Sequence, residues 1–353
     1  MKNNNRLKRI LITGGAGFIG GNLIRKLLLD TDALIFNIDC LDYASDINSL
    51  KKFSLSGRHF HKKIDLKNYS QLNKFFAETK PDLVFHLAAK THVDRSIDNP
   101  FEFFESNMLG TFNLLEATRH YWNNSSNKKF FRFIHVSTDE VFGSLGINGK
   151  FSETTSYSPR SPYSASKAGS DHLVSAWNHT YGLPTIITNC SNNYGPYQFP
   201  EKLIPLCIYK AICGKKIPIY GNGENIRDWL YVEDHIEALI LVALKGKIGT
   251  NYCIGGCNEK VNKEVVTLIC NHLDRLVPNK SSYSNLIEFV KDRPGHDKRY
   301  AIDSTKIKNE LGWKPKVSFE KGLEKTVIWY LKNKEWSKEI MQISNYKGER
   351  LGL

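Results

Sequence analysis

TGGAGFIGG, residues 13–21, decides the fold of this 353-residue chain. A short apolar run, RILIT (9–13), leads into it, and an amphipathic stretch from Phe18 to Leu29 follows. Strand, tight turn and helix is the reading of that order. Gly15-x-Gly17-x-x-Gly20 fits the dinucleotide fingerprint, and Gly14 with Gly17 and Gly20 gives a second, wider spacing. The first glycine allows the sharp turn, the second lets a pyrophosphate approach the backbone, and the third lets helix pack on strand. The helix N-terminus then offers the phosphates free N–H groups and a positive dipole end. A Gly-rich turn alone is weak evidence, but Asp39 closes the next apolar run, LIFNID (34–39), 19 residues past Gly20. A carboxylate there accepts hydrogen bonds from both ribose hydroxyls and repels a 2′-phosphate, so NAD is expected rather than NADP.

Working outward, the strand–helix rhythm recurs. FHKKID (60–65) reads as a third strand followed by helical periodicity over 69–79, with Asp65 at its end a candidate for the adenine. DLVFHLAA (82–89) reads as a buried strand, 100–121 as a long helix, FRFIHVST (131–138) as a strand, 162–181 as a helix and PTIITN (184–189) as a strand. Strands alternating with helices imply an α/β fold, a Rossmann-type doubly wound parallel sheet covered on both faces. Beyond about residue 190 Pro and Gly rise and the apolar runs shorten. Residues 1–190 are therefore assigned to the NAD-binding domain. Residues 191–353 are read as mainly a smaller mixed α/β substrate-binding domain, with segments that return to the main sheet.

Composition excludes several classes. Charged residues make up 24% and apolar residues 41%, ordinary for a globular chain. The net charge is +13, but Lys and Arg are scattered rather than gathered into blocks, so no nucleic-acid partner is expected, while a basic surface suits a diphosphate. Seven cysteines show no CxxC and no paired zinc-ligand spacing, so no metal is expected. An odd count without a secretory signal reads as reduced thiols in a cytoplasmic protein. The basic start, with Lys2 and Arg6, precedes too few apolar residues for a signal sequence, and no run approaches a membrane span.

Two further constellations carry chemistry. PYSASKAGS (162–170) places Tyr163 and Lys167 four apart on one helix face, begun by Pro162. A nearby cation stabilises a phenolate, so Tyr163 is a candidate base for a hydroxyl proton. The strand at 131–138 runs into Ser137-Thr138-Asp139-Glu140, at the carboxyl edge of the sheet where ligands sit. Hydride transfer alone needs no carboxylate pair there. Loss of water needs an acid and a base, and two close carboxyl groups resist ionising together, so one stays protonated. Strand neighbours point to opposite faces, so the chain must turn at Asp139 for both to reach one ligand.

These motifs, with HLAAKTHVDRSIDNP (86–100), STDEVFG (137–143), NCSNNYGPYQFPEKLIPL (189–206), RDWLYVEDH (227–235) and DRPGHDKRY (292–300), closely resemble the dTDP-glucose 4,6-dehydratases. That family belongs to the extended short-chain dehydrogenase/reductases, whose wider glycine spacing Gly14, Gly17 and Gly20 match. The resemblance runs from residue 9 to about 330. It implies a redox-neutral cycle on a nucleoside-diphosphate glucose: oxidation at C4, loss of water across C5 and C6, and return of hydride to C6. By resemblance, Tyr163 with Lys167 takes the C4 hydroxyl proton, Thr138 hydrogen-bonds that oxygen, Glu140 takes the C5 proton and Asp139 protonates the leaving hydroxyl. Phe18, Ile19, Ala88, Ala89, Ser106 and Asn193 join the glycines, Asp39 and Asp65 around NAD. Thr91, Thr138, Asn192, Lys202, Leu203, Tyr220, Arg227, Asn262, Arg293 and His296 hold the substrate. Guanidinium forks suit Arg227 and Arg293 to a diphosphate, although a lone Arg is more often a surface ion-pair residue. The resemblance also implies a homodimer through the helices at 100–121 and 162–181.

The chain departs from the family pattern in places. Asp39 leads into CLDYASD, with Asp42, Ser45 and Asp46 where Thr, Gly and Asn are usual, and Phe142 stands for Tyr. Lys90 replaces a polar or acidic residue near the cofactor cleft. Three other readings share most of these features. A UDP-glucose 4,6-dehydratase carries much the same motifs. A nucleotide-sugar 4-epimerase shares fold, NAD and the Tyr/Lys pair, without needing Asp139 and Glu140. A non-catalytic NAD-binding regulator commonly loses the Tyr or the Lys, and this chain has both.

Overall fold

Strands apolar on both faces can be buried only in a parallel sheet with helices on each side. The computed structural model describes residues 8–125 and 128–349; Lys2 and Arg6 of the basic start lie outside the described residues. Strands β1 (Arg9–Thr13), β2 (Leu34–Asp39), β3 (His59–Lys63), β4 (Leu83–His86), β5 (Arg132–Thr138), β6 (Thr185–Cys190) and β10 (Asn251–Ile254) form one seven-stranded sheet, ordered β10-β6-β5-β4-β1-β2-β3. Every neighbouring pair is parallel. Strand order reverses between β1 and β4, and a ligand crevice opens at such a switch point beyond the carboxyl ends of the strands.

The period-two alternation of β1 shows how the two faces are filled. Ile10 and Ile12 pack with Leu23, Leu27, Val136, Ile236 and Leu239, under the helices Phe18–Asp30 and Val232–Lys245. Leu11 points the other way, into Leu72, Phe76, Val84, Leu114, Phe133 and Val174, beneath the helices Tyr69–Thr79, Gly110–Asn123 and Pro162–Tyr181. The second of these cores reaches the helix that carries the Tyr/Lys pair, so its packing sets where that helix face points.

The latter half is mixed. Strands β7 (Asn192–Tyr194), β9 (Ile226–Tyr231) and β11 (Glu259–Val261) form a three-stranded sheet, and β8 (Ile217–Tyr220) pairs with β12 (Ile287–Val290). A separate core of Tyr194, Ile208, Trp229, Ile269, Phe319 and Leu323 sits among the helices Leu203–Ile212, Asn262–Leu276 and Phe319–Lys332. Three segments of it meet the main sheet: β10 extends it beside β6, and the helices Val232–Lys245 and Thr305–Leu311 pack into its core.

Three elements differ from the sequence reading. The strand expected over 82–89 ends at His86. Beyond it an amide side chain takes over the backbone bonding: Lys90 N–H donates to Asn107 Oδ1 at 2.8 Å, and Asn107 Nδ2 donates back to the Lys90 carbonyl at 3.0 Å. The long helix is interrupted, running as Pro100–Phe103, a π-helical turn Phe104–Leu109, and Gly110–Asn123. That turn carries Asn107 to Lys90 and to Ser166 Oγ of the Tyr/Lys helix; such bulges concentrate at functional sites. The third strand is His59–Lys63 rather than 60–65, and it lies at the sheet edge.

No described helix is long and apolar enough to cross a membrane. Among the described residues no cluster of three His, Cys, Asp or Glu side chains is placed to hold a metal ion.

Candidate active site

The glycine turn lies at the carboxyl end of β1. Gly14 adopts φ +72°, and a Cβ on it would meet the Ala88 backbone nitrogen at 2.6 Å. A Cβ on Gly20 would lie 2.3 Å from the Gly14 carbonyl oxygen, so helix and turn touch only because the side chain is hydrogen. Gly17 differs, for a Cβ there would meet only the Gly14 carbonyl, at 3.2 Å, leaving a bare approach to the helix start. Gly17 is also the N-cap and supplies no side-chain cap, so Phe18 and Ile19 begin a helix whose free N–H groups suit a diphosphate. This cradle fits a dinucleotide.

Asp39 ends β2, buried, with its carboxylate at the rim of the turn. Oδ2 accepts from Ala16 N–H at 3.0 Å, and Oδ1 accepts from Leu41 N–H at 2.8 Å and Ser45 Oγ at 3.0 Å. The departure CLDYASD thus has a structural account: Ser45 holds the Asp39 carboxylate, and Asp46 N–H donates to the Ala16 carbonyl at 2.7 Å. Asp42 and Lys90 are both unusual for the family pattern, and they pair with each other at 2.6 Å; Lys90 also meets Glu102 at 2.8 Å. Phe142 stacks on Phe151 and lies edge-on to Tyr157, each at 5.2 Å between ring centroids, in an apolar cluster. Asp65 follows β3 and is exposed, bonded to Lys67 N–H at 2.9 Å. Ala88 and Ala89 follow β4, where Ala88 N–H donates to Thr13 Oγ1 at 3.2 Å. Asn193, on β7, is held by His235 Nδ1 at 2.9 Å.

The chain turns at Asp139, as the carboxylate pair requires: β5 ends at Thr138 and a 3-10 turn Asp139–Phe142 follows at once. Glu140 N–H donates to Thr138 Oγ1, which donates to Asp139 Oδ1, both at 3.3 Å. Asp139 is 1% exposed and its Oδ2 has no partner. Burial, then the negative neighbours Glu140 and Asp228, push its carboxyl well above the usual range, so it holds its proton. Burial raises Glu140 as well, but Arg293, Lys202 and Arg227 offset part of it, so its carboxyl is raised less than that of Asp139. The two carboxyl groups therefore occupy different fields, one suited to an acid and one to a base.

Tyr163 and Lys167 lie in the first turns of Pro162–Tyr181, capped by Ser161, whose Oγ accepts from Ser164 N–H. Both are buried. Tyr163 does not show the lowered value that a neighbouring cation would give. Burial and the Glu140 charge raise it, while a hydrogen bond with Thr138 lowers it. Lys167 Nζ instead donates to the Val136 carbonyl at 3.0 Å. The i, i+4 spacing places both side chains on one face of the helix.

The latter half supplies the opposite wall. Arg227 is buried over the Tyr300 ring at 4.2 Å, its fork spread on the carbonyls of Ile226 at 2.8 Å and Asp297 at 2.9 Å. Lys202 Nζ donates to the Thr91 carbonyl at 2.8 Å, joining the two halves, and Leu203 opens the next helix. His296 Nδ1 is 2.6 Å from Asp292 Oδ1, and burial with Arg293 and Arg227 hold the ring down to about 4, so it is neutral. Asn192 Oδ1 and Asn262 Oδ1 are buried without partners. Orphaned acceptors of this kind, with Asp139 Oδ2, mark a surface made for a ligand.

Sequence reading missed Asp94, Asp171 and Glu201. Asp94 is buried, and it receives Arg293 Nη1 on Oδ1 and the Tyr220 hydroxyl on Oδ2, each at 2.7 Å. Glu201 joins Arg95 Nε at 3.1 Å and the Tyr43 hydroxyl at 2.9 Å. Asp94 lies within a motif quoted above, but its partners are more than a hundred residues away, so no local signal identified it.

Comparison with known proteins agrees with this geometry. The family model described as GDP-mannose 4,6 dehydratase matches residues 11–326. A dTDP-glucose 4,6-dehydratase of Neisseria meningitidis is 53% identical over 98% of this chain and 99% of its own. Among solved structures, a dTDP-glucose 4,6-dehydratase from Bacillus anthracis in complex with NAD superposes with a TM-score of 0.84 at 43% identity, covering 94% of this chain and 99% of that one. The enzyme from Streptomyces venezuelae, with NAD bound, gives a TM-score of 0.87 at 39% identity with the same coverage.

Proposed function

The chain belongs to the dTDP-glucose 4,6-dehydratase family, and on that premise we propose how its own residues divide the work of dehydrating a dTDP-glucose. It is an NAD-dependent hydro-lyase. The observation that carries the residue roles is the turn at Asp139, which brings two carboxyl groups in different fields beside Tyr163. A 4-epimerase has no use for such a pair.

NAD, when bound, accepts hydride from C4 and later supplies it to C6. Tyr163 takes the C4 hydroxyl proton on its phenol oxygen, and Lys167 holds a positive charge beneath it. Once C4 is a ketone the C5 proton is acidic, and Glu140 removes it. Asp139 gives its proton to the C6 oxygen, which leaves as water. Glu140 then returns its proton to C5. The count leaves Tyr163 with one proton gained and Asp139 with one lost. Thr138, whose hydroxyl is bonded to both, lies on the short route by which that proton returns. Arg227, Arg293 and Lys202 line the wall that receives the diphosphate.

Residues 1–190 act in this reading as the NAD-binding domain and 191–353 mainly as the nucleotide-sugar domain. The protein works as a homodimer in the cytoplasm. Phe101, Phe104, Leu109, Phe112 and Tyr181 leave an apolar face exposed on the two paired helices, and Phe112 packs edge-on to Trp177 across them at 5.7 Å. Light scattering on the purified protein tests the dimer, and Phe112→Asp shifts it toward monomer. Seven free thiols, with Cys40, Cys213 and Cys257 exposed, suit a reducing compartment.

The decisive assay is mass spectrometry of dTDP-glucose and UDP-glucose incubated in parallel with protein and catalytic NAD. Loss of one water without net cofactor reduction is expected, and the faster sugar identifies the base. Unchanged mass with glucose converted to galactose overturns the carboxylate roles.

A further inference from the structure

The helix Pro162–Tyr181 carries a third ionisable residue on the face that bears Tyr163 and Lys167. Asp171 lies four residues beyond Lys167, hence one turn along, and is 1% exposed. A carboxylate is almost never buried so completely unless it is partnered. Here Oδ2 accepts from Ser137 Oγ at 2.9 Å, the Tyr157 hydroxyl at 2.9 Å and Asn189 Nδ2 at 3.1 Å. Oδ1 faces His135 Nε2 at 3.1 Å. The same imidazole nitrogen lies 3.4 Å from Lys167 Nζ. The ring therefore stands between the Lys167 ammonium and the carboxylate one helical turn beyond it.

The charges around this cluster resolve simply. Burial and the Lys167 charge hold His135 down to about 4, so it is neutral. His86 on β4, whose ring centroid is 5.0 Å from that of His135, is driven lower by burial and is neutral too. On β6 the Cys190 thiol is pushed up to about 12 by burial and carries no charge. The Tyr157 phenol, from the loop before the helix, is raised by burial and by Asp171. Tyr163 on the same helix is raised as well. Asp171 remains as the anion facing Lys167, and its donors hold it below the usual carboxylate range. Burial pulls the Lys167 ammonium below its usual value, and the Asp171 charge pulls the other way.

We propose that Asp171 is a positioning residue of the proton-transfer pair, the buried counter-charge that keeps Lys167 an ammonium beneath Tyr163. A negative Oδ1 3.1 Å from Nε2 also favours the tautomer with its proton on that nitrogen, which keeps the ring from accepting from Lys167 and leaves the ammonium to donate to Val136. This role rests on Tyr163 and Lys167 being the proton-transfer pair.

Asp171→Asn tests it, because the amide keeps the shape and part of the hydrogen bonding while removing the charge. The alkaline limb of the pH–rate profile, where Lys167 loses its proton, is expected to move to lower pH by about one unit or more. The loss of turnover is then tenfold or greater on the alkaline side and slight on the acid side. Tyr157→Phe removes one donor but keeps the anion, and its alkaline limb stays in place. A merely structural role lowers the rate equally at every pH, and an unmoved limb in a folded Asp171→Asn protein overturns the proposal. Should that variant fail to fold, nitrogen-15 lysine NMR of the wild-type protein, assigned with Lys167→Met, reads the charge directly. An ammonium at neutral pH supports the counter-charge, and a neutral amine overturns it. Tyr163→Phe is run beside them. If it retains turnover the pair itself is wrong; if it is inactive while Asp171→Asn has the wild-type profile, only the role of Asp171 fails.

Discussion

Asp139→Asn separates what the active site does from what it costs. The side chain is almost wholly buried, its Oδ2 is unpartnered, and Glu140 and Asp228 are its nearest negative influences. An amide of the same shape cannot protonate a leaving oxygen, and removal of general acid assistance lowers such a step by about 10²–10⁴-fold. That corresponds to about 3–5 kcal/mol of barrier. Stability moves the opposite way. The amide feels no repulsion from Glu140 or Asp228 and loses the attraction of Arg227 and the charge-assisted part of the Thr138 bond, so a gain of about 0.5–2 kcal/mol is expected at alkaline pH. The sign with pH follows from the raised carboxyl. Between 3.8 and its folded value the native state holds a proton that the unfolded chain has released, so wild-type stability falls as pH rises through that window. Above it the penalty is constant, and below 3.8 it vanishes, so the advantage of the variant closes in acid. Mass spectrometry reads the water loss, and thermal unfolding across the same pH series reads the stability. Elimination within tenfold of wild type refutes the acid assignment. A variant less stable than wild type at every pH refutes the account of the buried charge.

Two further perturbations test the cofactor cradle and the substrate wall. Gly20→Ala drives a methyl into the Gly14 carbonyl and into the Gly15 Cα, which lies 2.8 Å from the ideal Cβ, so a loss of about 1–3 kcal/mol is expected, together with weaker NAD binding. The readout is the stabilisation NAD confers in thermal unfolding, and an undiminished shift would count against the cradle. Asp94→Ala releases Arg293 and Tyr220 together, and about 2–3 kcal/mol is expected to appear as a roughly 30- to 150-fold rise in KM for dTDP-glucose. NAD affinity, measured by calorimetry, should be unchanged; a parallel loss of both would mean that Asp94 supports the fold rather than the substrate wall.

The sequence by itself determined the parts whose cause is local. Glycine at 14, 17 and 20 between an apolar run and a helix admits one kind of turn, because a Cβ at Gly20 collides with the Gly14 carbonyl six residues back. Tyr163 and Lys167 share a face through helical period alone, and unbroken apolar strands required a parallel sheet covered on both sides. The register of β10 on β6 was not readable from its four residues. The tertiary structure decided what depends on fields and distant partners. Asp139 and Glu140 are neighbours in sequence, yet they differ because one is buried beside Glu140 and Asp228 with one oxygen unpartnered and the other faces Arg293, Lys202 and Arg227. Asp94 meets Arg293 across 199 positions, and Asp171 reaches Ser137 across 34. Lys90 and Asp42 read singly as departures and become a pair only when β2 and β4 lie on either side of β1. Periodicity reports which face a residue occupies; charge state and partnership come from what the rest of the chain folds against that face, and only packing supplies them.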